Sequence, residues 1–146
     1  MVDISGMYAA FVSMYENSPT LGTNKSRYIS RVVDLDENIA SNGIAVFADA
    51  NIPSGTFVTG WIRYSIDGES DIFSKQWIPM TRVSPEFVSS SEIDFREAFF
   101  RYSLPANSPP FKAYQVRLDF GTNGSTVPVY SKTPAVRSLR TVSFIQ

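Results

Sequence analysis

The most constraining feature of this sequence is a two-residue alternation near its C-terminal end. Between Phe111 and Phe120, Tyr114, Val116, Leu118 and Phe120 alternate with Ala113, Gln115, Arg117 and Asp119. Successive side chains on a strand point to opposite faces, so this order makes one apolar face and one mostly polar face. A helix would scatter the same residues around its circumference. Gly121, Asn123 and Gly124 follow, residue types that supply the positive φ of a tight reversal. Alternation resumes from Val136 to Ile145. The reading is two core strands of one sheet, with Thr122 to Thr126 as a hairpin turn and Pro128 and Pro134 in the connection.

The same grammar recurs upstream. Ile29, Arg31, Val33 and Leu35 alternate with Tyr28, Ser30, Val32 and Asp34. Ile44 to Ala48 is a short apolar strand after the Asn42-Gly43 turn signal. Phe57 to Ile66 is the longest central run, with Val58, Ile62, Tyr64 and Ile66 on one face. Trp61 on its other face predicts that this side is partly covered too. Trp77 to Val83 reads as one strand near an edge or bulge, because Pro79 cannot donate to a ladder. Phe95 to Leu104 is a further strand, and Leu104 to Pro110 is a rigid proline-rich loop. Strands at this spacing, with Gly, Pro and Asn punctuation, predict an all-β fold. The expected form is an antiparallel β-sandwich, jelly-roll-like, of about seven or eight strands.

Residues 1–26 differ. Ile4, Met7, Tyr8, Phe11, Val12 and Tyr15 fall at helical spacing, with Asp3 or Ser5 available as a cap. Gly6 weakens a helix by about 1 kcal/mol relative to Ala, so an extended arm fits equally well. Asn17, Ser18 and Pro19 end the segment. The expected division is therefore an N-terminal arm, 1–26, and a β-sandwich domain, 27–146. The six apolar positions are the candidate interface residues: the arm packs on its own domain or docks on a neighbouring chain.

Composition narrows the chemistry. The chain has 146 residues, and a domain of that size buries roughly 70% of its unfolded surface. Its hydrophobic fraction of 43% is that of a globular protein, and aromatics at 14% suit strands. The net charge is −1 with the basic residues spread singly, so neither nucleic acid nor an anionic membrane is an expected partner. The sequence contains no cysteine, which rules out disulfides and thiolate nucleophiles or ligands. It contains no histidine, which removes the commonest general base and zinc ligand. No apolar run approaches the ~20 residues of a membrane-spanning helix. With Asp3 where a basic region belongs, the N-terminus does not read as a signal peptide.

Four groups carry some chemical content, each with a plainer alternative. The acidic loop Asp67 to Asp71 offers hard oxygen ligands for calcium, but reads better as a solvated hairpin turn between the Trp61 and Trp77 strands. Glu92, Asp94 and Glu97 are candidates for a paired-carboxylate hydrolase, although nothing in sequence brings two into one cleft. Trp61, Tyr64, Trp77 and Tyr102 suit a sugar-stacking platform; core packing is the simpler use of such residues. Thr122 to Thr126 has no lysine and no following helix, so it is not a phosphate loop. No catalytic residue, metal site or cofactor is expected.

Several segments, taken in order, resemble a module of tailed-bacteriophage tail and baseplate structural proteins. They are Gly22 to Arg31, Ile44 to Phe47 leading to Ile52 to Thr56, Trp61 to Ser65, Trp77 to Met80, Phe111 to Leu118, and Thr133 to Arg140. The order matches an opening strand with Arg-Tyr-Ile, a Pro-x-Gly-Thr turn, a strand like Tyr-Tyr-Arg, and a Pro-x-Val-x-x-Leu-Arg ending. Gly60, Trp61 and Ile62 stand where such modules often have Val-Tyr-Tyr. The resemblance implies a non-enzymatic structural protein located in the virion, in tail or baseplate. Its partners would be other virion subunits, with homo-oligomers or repeated copies in the assembly. The alternatives are a receptor- or glycan-binding module at the tail tip, with a host glycan as ligand, or a capsid decoration protein.

Overall fold

The computed structural model describes residues 25–36, 38–39, 41–122 and 134–145. The candidate interface residues Ile4, Met7, Tyr8, Phe11, Val12 and Tyr15 lie outside the described residues, as does 123–133.

Among the described residues the chain folds as an all-β antiparallel sandwich. Its strands are β1 (Lys25–Ile29), β2 (Val33–Asp34), β3 (Gly43–Asn51), β4 (Thr56–Ser65), β5 (Ile78–Pro79), β6 (Thr81–Arg82), β7 (Arg96–Ser103), β8 (Ala113–Thr122) and β9 (Ala135–Phe144). One 3-10 turn, Glu69–Ser74, sits between β4 and β5. The first sheet has the order β1-β8-β4-β5, with β2 also on β8; the second has β6-β7-β3-β9.

The alternation seen in sequence builds the core. Tyr114, Val116, Leu118 and Phe120 of β8 are buried, and face Ile44, Val46, Ala48 and Ala50 of β3. Val58, Ile62, Phe100 and Leu139 fill the space between. Phe111, fully buried, closes one end of it against Tyr64 and Tyr114. Gly60 on β4 lets the sheets approach: a Cβ there would lie 2.9 Å from the ring of Phe100, which is itself buried.

Three sequence expectations need correction. The runs ending the chain are not partners in one sheet. β8 is occupied on both sides, by β1 and β2 on one and β4 on the other, whereas β9 pairs with β3 in the second sheet. The connection between them therefore changes sheets and is not a hairpin. The Trp77 to Val83 run is also not one strand. It changes sheets at Met80: β5 borders β4, and β6 borders β7. Pro79 lies on the sheet edge, as its missing N–H requires. Finally, the first long alternation is broken in the middle. Tyr28 and Ser30 are buried and Ile29 is half-exposed, while beyond the break Val33 and Leu35 pack on the core. Ser30 causes the break. Its backbone N–H donates to the Val116 carbonyl at 2.9 Å, and its Oγ accepts from the Val116 N–H at 3.0 Å. A side chain thus replaces one rung of the ladder, and the strand resumes in a new phase as β2.

Candidate functional site

Two faces of the sandwich remain to be explained, the outer face of each sheet. On the first sheet, Trp61 of β4 is the cross-strand partner of Arg117 of β8, and Arg63 is that of Gln115. The Arg117 guanidinium lies 4.6 Å from the Trp61 ring centroid and 5.2 Å from that of Trp77. Arg63 lies 4.4 Å from Trp77 and 5.3 Å from Phe73. The cations and rings therefore interleave across the sheet. Arg117 is only 8% exposed and donates through Nε and Nη2 to both carboxylate oxygens of Asp119, at 2.8 and 2.9 Å. Arg63 Nε donates to Gln115 Oε1 at 2.8 Å. Burial, and then the neighbouring Arg117 charge, lower the Arg63 pKa from its ordinary value. Each of these groups is thus matched inside the cluster.

The 3-10 turn covers this face. Ser65 Oγ donates to Asp71 and accepts from the N–H groups of Asp67 and Gly68, and Ile72 is fully buried. The Ser65 hydrogen bond is the largest cause lowering the Asp71 pKa; Lys75, 3.4 Å away, works in the same direction. Asp71 is accordingly tied to the protein, while Asp67 and Ser70 of the same loop stay exposed. As the sequence suggested, the acidic loop joins two adjacent antiparallel strands, β4 and β5, and it continues into the 3-10 turn. The covered second face that Trp61 suggested is present.

On the second sheet, Phe47 of β3 stacks on Phe99 of β7 with ring centroids 4.5 Å apart and planes within 5°. Arg140 of β9 lies over Phe47 at 4.5 Å, Arg101 over Phe144 at 4.8 Å, and Arg137 over Phe95 at 4.5 Å. Nothing described covers this face: Arg101 and Arg140 are exposed, and Val142 is 41% exposed.

The sequence candidates separate accordingly. Trp61 and Trp77 share the outer face of the first sheet, whereas Tyr64 and Tyr102 lie against the core with centroids 6.0 Å apart. The four do not make one platform, and the tryptophans are not core residues. The carboxylates do not converge either. Asp94 accepts from Arg96 at 3.1 and 2.9 Å and from the Ser90 N–H at 2.8 Å, which lowers its pKa to about 2. Glu97 lies opposite Asp49, and Asp49 is paired with Arg137. Among the described residues no three of Asp and Glu gather in a cluster able to hold a metal ion. What sequence reasoning missed is the arginines. Arg117 and Arg140 sit at outward positions directly opposite Trp61 and Phe47, a relation visible only once strand register is known.

Two shallow grooves lie at opposite ends of β4. One, about 400 Å³, is lined by Tyr64, Ile66, Lys75, Gln76, Ile78 and Ser108. The other, about 490 Å³, is lined by residues of the β4 start together with Arg82, Phe87 and Val88. Comparison with known proteins gives no match: no family model, no curated protein and no solved structure matches the chain.

Proposed function

We propose that this chain is a structural component of a tailed-bacteriophage tail or baseplate. It is non-enzymatic and assembles with other virion subunits through its sandwich surface and its N-terminal segment. The observation that carries the reading is the uncovered outer face of the second sheet. Stacked Phe47 and Phe99 under Arg140, beside Phe144 under Arg101, combine the aromatic and arginine side chains that dominate protein interfaces. The sequence resemblance points the same way. The test is sedimentation of the purified protein with isolated virion sub-assemblies. Co-sedimentation with tails or baseplates is expected, and removal of residues 1–16 should abolish it while the sandwich stays folded. Association with capsids alone would replace the tail assignment by a decoration role.

A second reading, a glycan-binding module at the tail tip, is favoured by the groove of Tyr64, Lys75, Gln76 and Ser108. It sets an aromatic ring beside several hydrogen-bonding groups. Isothermal titration against host polysaccharides separates the two. Binding that Tyr64→Ala removes would favour this reading, and no heat across a broad panel would dismiss it.

A further inference from the structure

β9 is a long strand at the border of its sheet. It pairs with β3 along one side, from Ala135 to Phe144, and among the described residues no strand lies on its other side. Two hydrogen bonds show which of its main-chain groups face out. The Asn42 N–H donates to the Phe144 carbonyl at 3.1 Å, so Phe144 turns toward β3. The Leu104 N–H donates to the Asn42 carbonyl at 2.8 Å, which gives the even-numbered residues of β3 to β7 and the odd-numbered ones, Gly43 opposite Phe144 among them, to β9. Both bonds set the same phase. Arg140, Val142 and Phe144 bond to β3, whereas Leu139, Thr141 and Ser143 aim their N–H and C=O groups away from the sheet.

Proteins blunt such an edge with proline, bulges or charge. The bulge of β9 is at Arg137, where the register with β3 shifts, and Arg137 is held by Asp49. From Ser138 to Phe144 the register is unbroken, and there is no proline up to Ile145. The one charged residue in this stretch, Arg140, lies over the Phe47 ring of its own sheet. Two apolar side chains stay uncovered, Val142 at 41% and Ile145 at 71% exposed.

This edge complements a second copy of itself. Antiparallel pairing about a two-fold axis must bring outward-facing groups together, which places the axis at a residue and not between two. An axis at Arg140 would set that arginine against its counterpart, like charges directly opposite. An axis at Thr141 would leave Phe144 opposite Ser138, and one at Ser143 would shorten the overlap. An axis at Val142 sets Arg140 opposite Phe144 of the second copy, Val142 opposite its counterpart, and Leu139 opposite Ile145. The first of these pairs repeats the contacts that Arg101 makes with Phe144 and Arg140 with Phe47 inside the chain. Both uncovered apolar side chains find apolar neighbours. Every outward position is thus matched by the same segment, with no residue required from another kind of chain.

We propose that β9 pairs with β9 of a second copy about a two-fold axis at Val142, joining the two second sheets into one continuous sheet. The inference rests on the assembly reading above for its setting and adds a contact between copies, across which the aromatic outer face continues.

The absence of cysteine makes the test clean. At a non-hydrogen-bonded antiparallel pair the Cα atoms stand about 4.5 Å apart, within the span of a disulfide. Val142→Cys in the full-length chain is expected to form a disulfide-linked dimer under mild oxidation. It should do so many times faster than Val83→Cys, which is exposed but lies at the opposite border of the sheet. Arg140→Cys mixed with Phe144→Cys should link too, and neither should link alone. The wild type should sediment as a dimer. Ser143→Pro removes an outward N–H and no bond to β3, so it should weaken the dimer about tenfold with tryptophan emission unchanged. A monomeric wild type, or Val142→Cys that links no faster than Val83→Cys, would overturn the proposal. Sedimentation of the same preparations with tails keeps the two ideas apart. A monomer that binds tails sinks the edge pairing and spares the assembly reading, and a dimer that binds none does the reverse.

Discussion

Arg117 shows how one side chain sets the character of a whole face. It is nearly buried, and there Asp119 grips it with two hydrogen bonds while two indole rings flank it. Among the described residues, Arg117→Ala would leave Asp119 with only the longer contact to Arg27, at 3.7 Å, and would uncover both tryptophans. The expected loss is about 2–4 kcal/mol in urea unfolding, with red-shifted tryptophan emission. Arg117→Lys should recover only part of it, because an ammonium neither forks onto a carboxylate nor stacks flat on a ring. Asp94 makes a different point. Its pKa of about 2 lies below the ordinary value of 3.8, so the folded state favours its charged form. The stability this contributes is present above the unfolded pKa and is lost as pH falls from about 4 through about 2. Asp94→Asn should flatten the acid limb of the stability curve in that window; an unchanged limb would mean that the Arg96 contact does not persist in solution.

At the scale of elements, the outcome separates what alternation encodes from what it leaves open. The inward row of β8 was legible because a period of two admits a single assignment of faces. The partners of β8 and β9 were not, because adjacency in sequence suggests a hairpin and nothing local reports that β8 already has neighbours on both sides. Pro79 marked an edge correctly but could not reveal that the chain changes sheets one residue later. The outer faces were half legible: Trp61 announced a covered side, yet its cover is the 3-10 turn, whose Asp71 read as loop and is anchored on Ser65 at the end of the strand. The arginine–aromatic contacts are relations across strands and have no signature along one. The segment from Val83 to Asp94 illustrates the same limit. Its order depends on Asn51, which is 5% exposed and far away in sequence. Asn51→Ala would leave two carbonyls, those of Ser91 and Asp94, without their donor and is expected to cost about 1–3 kcal/mol. Limited proteolysis should then cut within 84–94 many times faster than in the wild type. If cleavage moved elsewhere, the groove wall would owe its order to other contacts.

For the whole molecule, the path of the chain decides how it unfolds. It passes from one sheet to the other between β2 and β3, β3 and β4, β5 and β6, β7 and β8, and β8 and β9. The long strands β3, β4, β7, β8 and β9 thus alternate between sheets, and neither sheet can form from one continuous stretch. The hydrogen bond from Gln115 Nε2 to the Ser30 carbonyl, at a separation of 85 positions, illustrates how distant the joined pieces are. Neither sheet, then, has a core to fold around before the other arrives. The expected result is one cooperative transition, with folding in the range of milliseconds to seconds typical of non-local β topologies. Two sets of probes read it from opposite sides of the first sheet. Trp61 and Trp77 report its outer face by fluorescence, and Tyr114, whose hydroxyl meets Thr141 at 3.0 Å, reports the core. Coincident urea midpoints from tryptophan emission and from a tyrosine-specific NMR signal would establish a single unit. An earlier tryptophan transition would show instead that the arginine–indole layer and its 3-10 cover peel away first, leaving an intact sandwich beneath.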